Sequence, residues 1–217
     1  YDTTALMVEH RLSGHPNDKP NLTTEDGKEL FYGMIHDFYS RVPPHLWVRI
    51  DGAAIVWLYS SGWVKDYNQS LVSYVKERFA ENFNSTIFII RDRSWKLETD
   101  MEYGWGAALG PVLRDVSAIG PGFNNEGAVR CYGQSPLNRD RLGGLAYTED
   151  WERALRAGSN IVVIETWNEL HEGTEICETD ELGRLYIQIT ANYSRIFKED
   201  SWNHDLKEMD SLIVFEP

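Results

Sequence analysis

Residues Asn160–Glu178 read NIVVIETWNELHEGTEICE. A strand-length run, Asn160–Thr166, leads directly into a burst of polar side chains. Its apolar part is nearly continuous, as suits a strand buried on both faces of a parallel sheet. In parallel α/β folds the C-terminal end of such a strand is where active sites sit, in open sheets and in barrels. Alternation along the strand would put Glu165, Trp167 and Glu169 on one face, where an unpaired carboxylate is costly. Glu169 and Glu172 stand three apart, so their side chains approach if the chain coils here.

Similar apolar runs lie upstream at Tyr1–Met7, Ala54–Ser60, Thr86–Asp92 and Val116–Gly120. Helical patterns alternate with them. Thr23 or Thr24 caps a helix through about Arg41, with Glu25, Asp26 and Glu29 complementing its dipole. Pro43-Pro44 stops it. Leu71, Val72, Val75, Phe79 and Phe83 are helically spaced within Asp66–Phe83. A shorter helix is expected at Thr99–Leu109. Thr148 would cap Glu149–Ala157, with Gly158 as its C′ residue. A last helix is expected over Glu181–Lys198, and Glu199–Pro217 has no assignment. Pro121–Tyr147 lacks periodicity, which suits a binding loop or lid.

Five βα units in order mean an α/β fold with a parallel sheet. Strand starts average about 40 residues apart, so eight units would need roughly 320 residues, within the range of (β/α)8 barrels. Spacing alone serves an open doubly wound sheet equally well.

The 217 residues carry 34 acidic and 21 basic side chains, a formal charge of −13, which argues against a nucleic-acid or anionic-membrane partner. With 8 Trp, 11 Tyr and 8 Phe to bury, the chain is not disordered. No apolar run reaches the length of a membrane span. Cys131 and Cys177 are too few for a disulfide scaffold and are read as structural thiols. Sequons at Asn21, Asn68, Asn84 and Asn192 weakly fit a secreted, periplasmic or secretory-lumen protein.

Two carboxyls about 5–5.5 Å apart are the separation used in retaining glycoside hydrolysis. Mutual repulsion and partial burial would keep one protonated near neutrality, as a general acid requires. Trp57, Trp63, Trp95, Trp105 and Trp167 offer flat faces for pyranose rings. A plainer alternative makes Glu169 and Glu172 ion pairs and caps at a strand-to-helix turn.

Trp167–Ile176, WNELHEGTEI, resembles the N-E-W-H-E-G-T-x-I signature of family-99 glycoside hydrolases, retaining endo-α-mannosidases and mannanases on a (β/α)8 barrel, and related bacterial domains of unknown function. Phe31–Ser60 resembles the same group's helix followed by a strand with a terminal Tyr. The likeness spans about Tyr1 to Lys198, but only the final motif is specific. It implies that residues 1–198 are the C-terminal portion, about five βα units, of such a catalytic barrel. About three units would then precede Tyr1, and 199–217 would be a tail or the start of a further segment.

The resemblance also implies roles. Glu172 would be the acid/base, and Glu169 the base that deprotonates the substrate 2-hydroxyl, so that the 2-oxygen displaces the leaving group and forms a 1,2-anhydro sugar. His171 would orient substrate or the acid. Leu170 departs from the family's usual Trp, which leaves sugar specificity open. Further substrate contacts are expected from Trp167 and Asn168, and from residues at or just past strand C-termini: Asp2, Tyr59, Arg91, Asp92 and, as an aromatic platform, Trp95.

HEGTE lacks the second histidine of a metalloprotease helix, so neither metal nor cofactor is expected. Trp-Asn-Glu also resembles the Asn-Glu acid/base of other barrel glycosidases, but lacks their following Pro. The partner expected is an oligosaccharide or polysaccharide. Alternatives are a glycosyltransferase-associated or polysaccharide-assembly protein, counted against by the lack of a Gly-rich phosphate loop, and a non-catalytic carbohydrate-binding domain.

Overall fold

Thr3, Leu6 and Met7 are buried at the i, i+3, i+4 spacing of one helix face. Together with the helix-favouring Ala5, Leu6 and Met7 this makes Thr3–Leu12 a helix, α1, where the sequence suggested a strand. Tyr1 keeps a strand-like contact, its carbonyl accepting the Tyr59 N–H at 3.0 Å. The computed structural model describes all residues except 2, 16–17, 131–132, 134 and 200–217. The expectations for Asp2, Cys131 and nearly all of the C-terminal tail therefore lie outside the described residues. Two units divide the chain, Tyr1–Trp105 and Gly106–Pro217.

In the first unit α1 is followed by α2 (Glu25–Arg41), β1 (Arg49–Ile50), β2 (Ala53–Leu58), α3 (Ser70–Phe83), β3 (Ile87–Asp92) and β4 (Met101–Tyr103). Thr24 caps α2 as its sequence predicts, its hydroxyl accepting the Gly27 N–H. Val42, before the two prolines, ends the helix. A two-residue turn at Asp51-Gly52, both with positive φ, joins β1 to β2 antiparallel. β2, β3 and β4 run parallel, in the order β1-β2-β3-β4. This four-stranded sheet is open and partly curled, as in an incomplete barrel.

One face of β2, carrying Ala54, Val56 and Leu58, packs with Phe31, Ile35 and Tyr39 of α2 and Leu71, Val75 and Phe79 of α3. Its other face is only half-buried, so β2 alternates instead of being covered equally on both sides. The expected helix at Thr99–Leu109 is instead β4 and a 3₁₀ turn, Ala107–Leu109. Asp100 anchors that start, its Oδ2 accepting the Ile89 N–H at 2.7 Å, while Gly106 at φ 101 breaks any helix.

The second unit comprises β5 (Val112–Leu113), β6 (Ser117–Ile119), β7 (Phe123–Asn124), α4 (Glu126–Val129), β8 (Asn138–Arg139), α5 (Leu145–Ala157), β9 (Val162–Ile164) and α6 (Leu185–Glu199). β6 lies between antiparallel β5 and parallel β9. The aperiodic stretch Pro121–Tyr147 contains the β7–β8 ribbon and α4, so it is not structureless. α5 begins four residues earlier than expected. Thr148 lies inside it, buried, its hydroxyl donating to the Leu145 carbonyl, and Gly144 takes the N-cap position. Gly158 ends α5 at φ 70, as expected. The core gathers Ile119 with Tyr147, Trp151 and Leu155 of α5 and Tyr186, Ile189, Tyr193 and Ile196 of α6. Among the described residues no helix is long and apolar enough to cross a membrane.

Candidate active site

β9 ends at Ile164, and the next residue, Glu165, is only 2% exposed. A buried carboxylate needs hydrogen-bond donors. Glu165 has them in the backbone N–H groups of Gly106, 3.0 Å from Oε2, and Ala108, at 3.4 Å. Its depth is thus explained by holding the 3₁₀ turn onto the strand end. Gly120, after β6, allows this closeness: a Cβ there would stand 2.6 Å from both the Ala108 Cα and the Glu165 carbonyl oxygen. The Glu165–Thr166 peptide is cis. Trp167 is 60% exposed, so Glu165, Trp167 and Glu169 do not share one environment as strand alternation would have it.

Past Glu165 the chain folds on itself. The Thr166 N–H donates to the Thr174 carbonyl at 2.9 Å, and the N–H groups of Ile176 and Cys177 both reach the Trp167 carbonyl. Inside this neck the Glu172 N–H donates to the Glu169 carbonyl at 3.2 Å, so the two glutamates stand on one turn. The turn is also tied from outside, since the Asn124 N–H donates to the Glu172 carbonyl at 2.8 Å. Gly173 follows at φ 59, with its Cα facing the Asn124 backbone.

With much of its backbone hydrogen-bonded within the loop, it presents its side chains. Trp167, Asn168, Leu170 and His171 are exposed, while Glu169 and Glu172 are half-buried. His171 Nδ1 lies 3.3 Å from Glu169 Oε2. Beside the loop opens a cleft of about 840 Å³, whose lining includes Leu170, His171 and Gly173 together with Arg141, Glu175 and Tyr186. Glu169 and Glu172 stand outside that lining, and His171 links it to Glu169. Among the described residues no group of three or more His, Cys, Asp or Glu is placed to hold a metal ion.

Sequence reasoning missed the charged supports of this region. Arg139, on β8, forms a two-pronged pair with Asp150 of α5 at 2.6 and 2.8 Å and also donates to the Gly120 carbonyl. Burial raises the Asp150 carboxyl above its ordinary value, and Arg139 only partly offsets it. Arg141 pairs with Glu175 at 2.9 Å, donates to the Glu175 carbonyl and lies over the Tyr186 ring. Burial raises the Tyr186 phenol, again partly offset by Arg141. The arginines lie in the aperiodic loop, and no spacing marks their partners. Glu165 alone carried a signal, an acid at strand depth.

The remaining expected contacts belong to the first unit, where their groups are internally engaged. Arg91 pairs with Glu102 at 2.6 Å and donates to the Trp95 carbonyl. Asp92, 4% exposed, accepts the N–H groups of Ser94 and Trp105, both at 2.9 Å. Tyr59 is half-buried, edge-on to Trp105. Trp95 corrects its expectation as a platform. Its ring is fully buried in the core and its Nε1 donates to the Tyr59 carbonyl at 2.5 Å, so no face is open to a ligand.

Comparison with solved structures finds likeness of fold. An endo-α-mannosidase of glycoside hydrolase family 99 from Bacteroides thetaiotaomicron, in complex with bis-tris-propane, matches with a TM-score of 0.59 and 17% identity over 79% of this chain and 67% of that one. Another structure of that organism's family-99 endo-α-mannosidase matches at 0.59 and 18%, over 79% and 62%. A glycoside hydrolase-like protein matches at 0.56 and 15%, over 82% and 66%. The chain therefore spans about two thirds of the length of these structures. No curated protein matches it. The family described as a domain of unknown function, DUF5010, matches residues 1–210, and the chain belongs to that family.

Proposed function

We propose that this chain carries the acid/base pair of a glycoside hydrolase that cleaves α-linked glycans, α-mannosides among them, with retention. One observation carries the proposal: Glu169 and Glu172 share a single turn just past a parallel strand's C-terminal end, with His171 against Glu169 and a cleft alongside. The likeness of fold to family-99 enzymes supports it. So do the parallel pairings within each unit, β2 with β3 and β3 with β4 in the first and β6 with β9 in the second, which suit βα units of a (β/α)8 barrel. A secreted or periplasmic setting, where such glycans are met, belongs to the same proposal.

In this mechanism Glu172 gives its proton to the leaving glycosidic oxygen while Glu169 takes the proton of the 2-hydroxyl. The 2-oxygen closes on C1 as the C1–O bond breaks, which gives a 1,2-anhydro sugar. Glu172, now a carboxylate, takes a proton from the water that opens the ring at C1, and Glu169 returns its proton to the 2-oxygen. Two inversions at C1 give net retention. His171 holds Glu169 Oε2 toward the 2-hydroxyl. Exposed Trp167 offers an apolar face to a sugar ring.

Glu169→Gln and Glu172→Gln, assayed separately on α-linked manno-oligosaccharides, test this. Each is expected to lower turnover by roughly 10²–10⁴-fold at unchanged melting temperature. Unchanged turnover in either variant would sink the mechanism, and retained glycan affinity without any turnover in wild type would leave a binding domain.

A further inference from the structure

The neck of the loop is closed by two threonine hydroxyls. Thr174 is 1% exposed, and its Oγ1 lies 2.8 Å from Oγ1 of Thr166. A hydroxyl has one proton to donate and two lone pairs to accept with. Thr166 Oγ1 uses a lone pair on the Glu169 N–H, at 3.2 Å. The Glu169 carbonyl is engaged as well, by the N–H groups of Glu172 at 3.2 Å and Thr174 at 3.3 Å. Both backbone groups of Glu169 are therefore held by this neck and by the turn that carries Glu172. The neck is itself fixed, because Thr166 directly follows the buried, hydrogen-bonded Glu165.

We infer that Thr166 is a positioning residue: its hydroxyl, braced by that of Thr174, sets where Glu169 stands relative to Glu172. The inference rests on the catalytic pair proposed above. An apolar isostere at Thr166 loses the acceptor for the Glu169 N–H and strands the buried Thr174 hydroxyl. The same change at Thr174 loses only the brace. Serine at Thr166 keeps the oxygen. Thr166 should therefore matter more than Thr174, and serine should rescue.

The test compares Thr166→Val, Thr166→Ser and Thr174→Val on an α-linked manno-oligosaccharide, with hydrogen exchange of the Glu169 amide read in parallel. T166V is expected to lower kcat roughly ten- to a hundredfold with KM within about twofold, since small misplacements of a reacting group cost that much. T174V should lose less, and T166S should match wild type. The Glu169 amide should exchange faster in T166V and as in wild type in T166S. Wild-type kcat in T166V, or an equal loss in T166S, overturns the inference. Should T166V not fold, a lower kcat in T174V than in T166S supports it and equal values overturn it. Where wild type shows no turnover the catalytic proposal falls, and unchanged amide exchange in T166V overturns the positioning separately.

Discussion

The end of β3 and the end of β9 look alike in sequence, each an apolar strand running into polar and aromatic residues, yet the fold uses them in opposite ways. After β3 the side chains are spent on the protein itself. Asp92 holds two backbone N–H groups, Arg91 is paired with Glu102, and Trp95 is buried. After β9 the backbone meets most of its own needs, so Trp167, Leu170 and His171 are exposed and Glu169 and Glu172 remain partly accessible. Polar residues at a strand end therefore do not by themselves mark a site. A site needs a loop that is closed without spending the side chains it presents.

That contrast is sharpest when broken from both ends. Glutamine at Glu169 or Glu172 should abolish most turnover with no loss of stability. Trp95→Ala should do the reverse, lowering the unfolding free energy by about 3–5 kcal/mol, because loss of a fully buried indole leaves a cavity. Denaturant unfolding checks it, and a loss below about 1 kcal/mol would show that the end of β3 is not core.

The two units also carry matched alkaline sensors. Burial pushes the phenols of Tyr32, in the first unit, and Tyr147, in the second, up to about 12 from their ordinary value of 10.0. Unfolding frees each to ionise near its ordinary pKa, so the stability they contribute is intact below about pH 10 and falls as pH rises toward 12. Tyr147→Phe and Tyr32→Phe should each flatten that fall, and melting curves taken across this range show whether they do. A fall of the same steepness in both variants would assign it to other groups.

The smallest effect belongs to Trp167. At 60% exposure its replacement by Ala should change stability by no more than about 0.5 kcal/mol. KM for an α-linked oligosaccharide should rise through the lost ring contact. An unchanged KM would remove Trp167 from the contact surface while leaving the two glutamates in place.

Several features were legible in the chain itself. The Thr24 cap, the stop before Pro43, the β3 strand and the Gly158 terminus follow from local chemistry, and the structure has them where the residues put them. Local chemistry misled at Tyr1–Met7, where a short apolar run fits either period and the core-facing set Thr3, Leu6 and Met7 chooses the helix. At Thr148 a good capping residue is taken into the helix interior, because α5 begins at a left-handed glycine pair instead. In the site, the glutamate motif was visible because its residues are adjacent in sequence. Arg139–Asp150, Arg141–Glu175 and the Glu165 clamp were not, since each joins residues that only the fold brings together.

The central claim is that Glu169 and Glu172 act on one bond. A crystal structure with an α-linked manno-oligosaccharide bound measures it most directly. The account predicts both carboxyls facing the same glycosidic linkage, about 5–7 Å apart, with Glu172 toward the leaving oxygen and Glu169 toward the 2-hydroxyl. Sugar bound with the two carboxyls widely separated, or with Glu172 turned into the protein away from it, would contradict it.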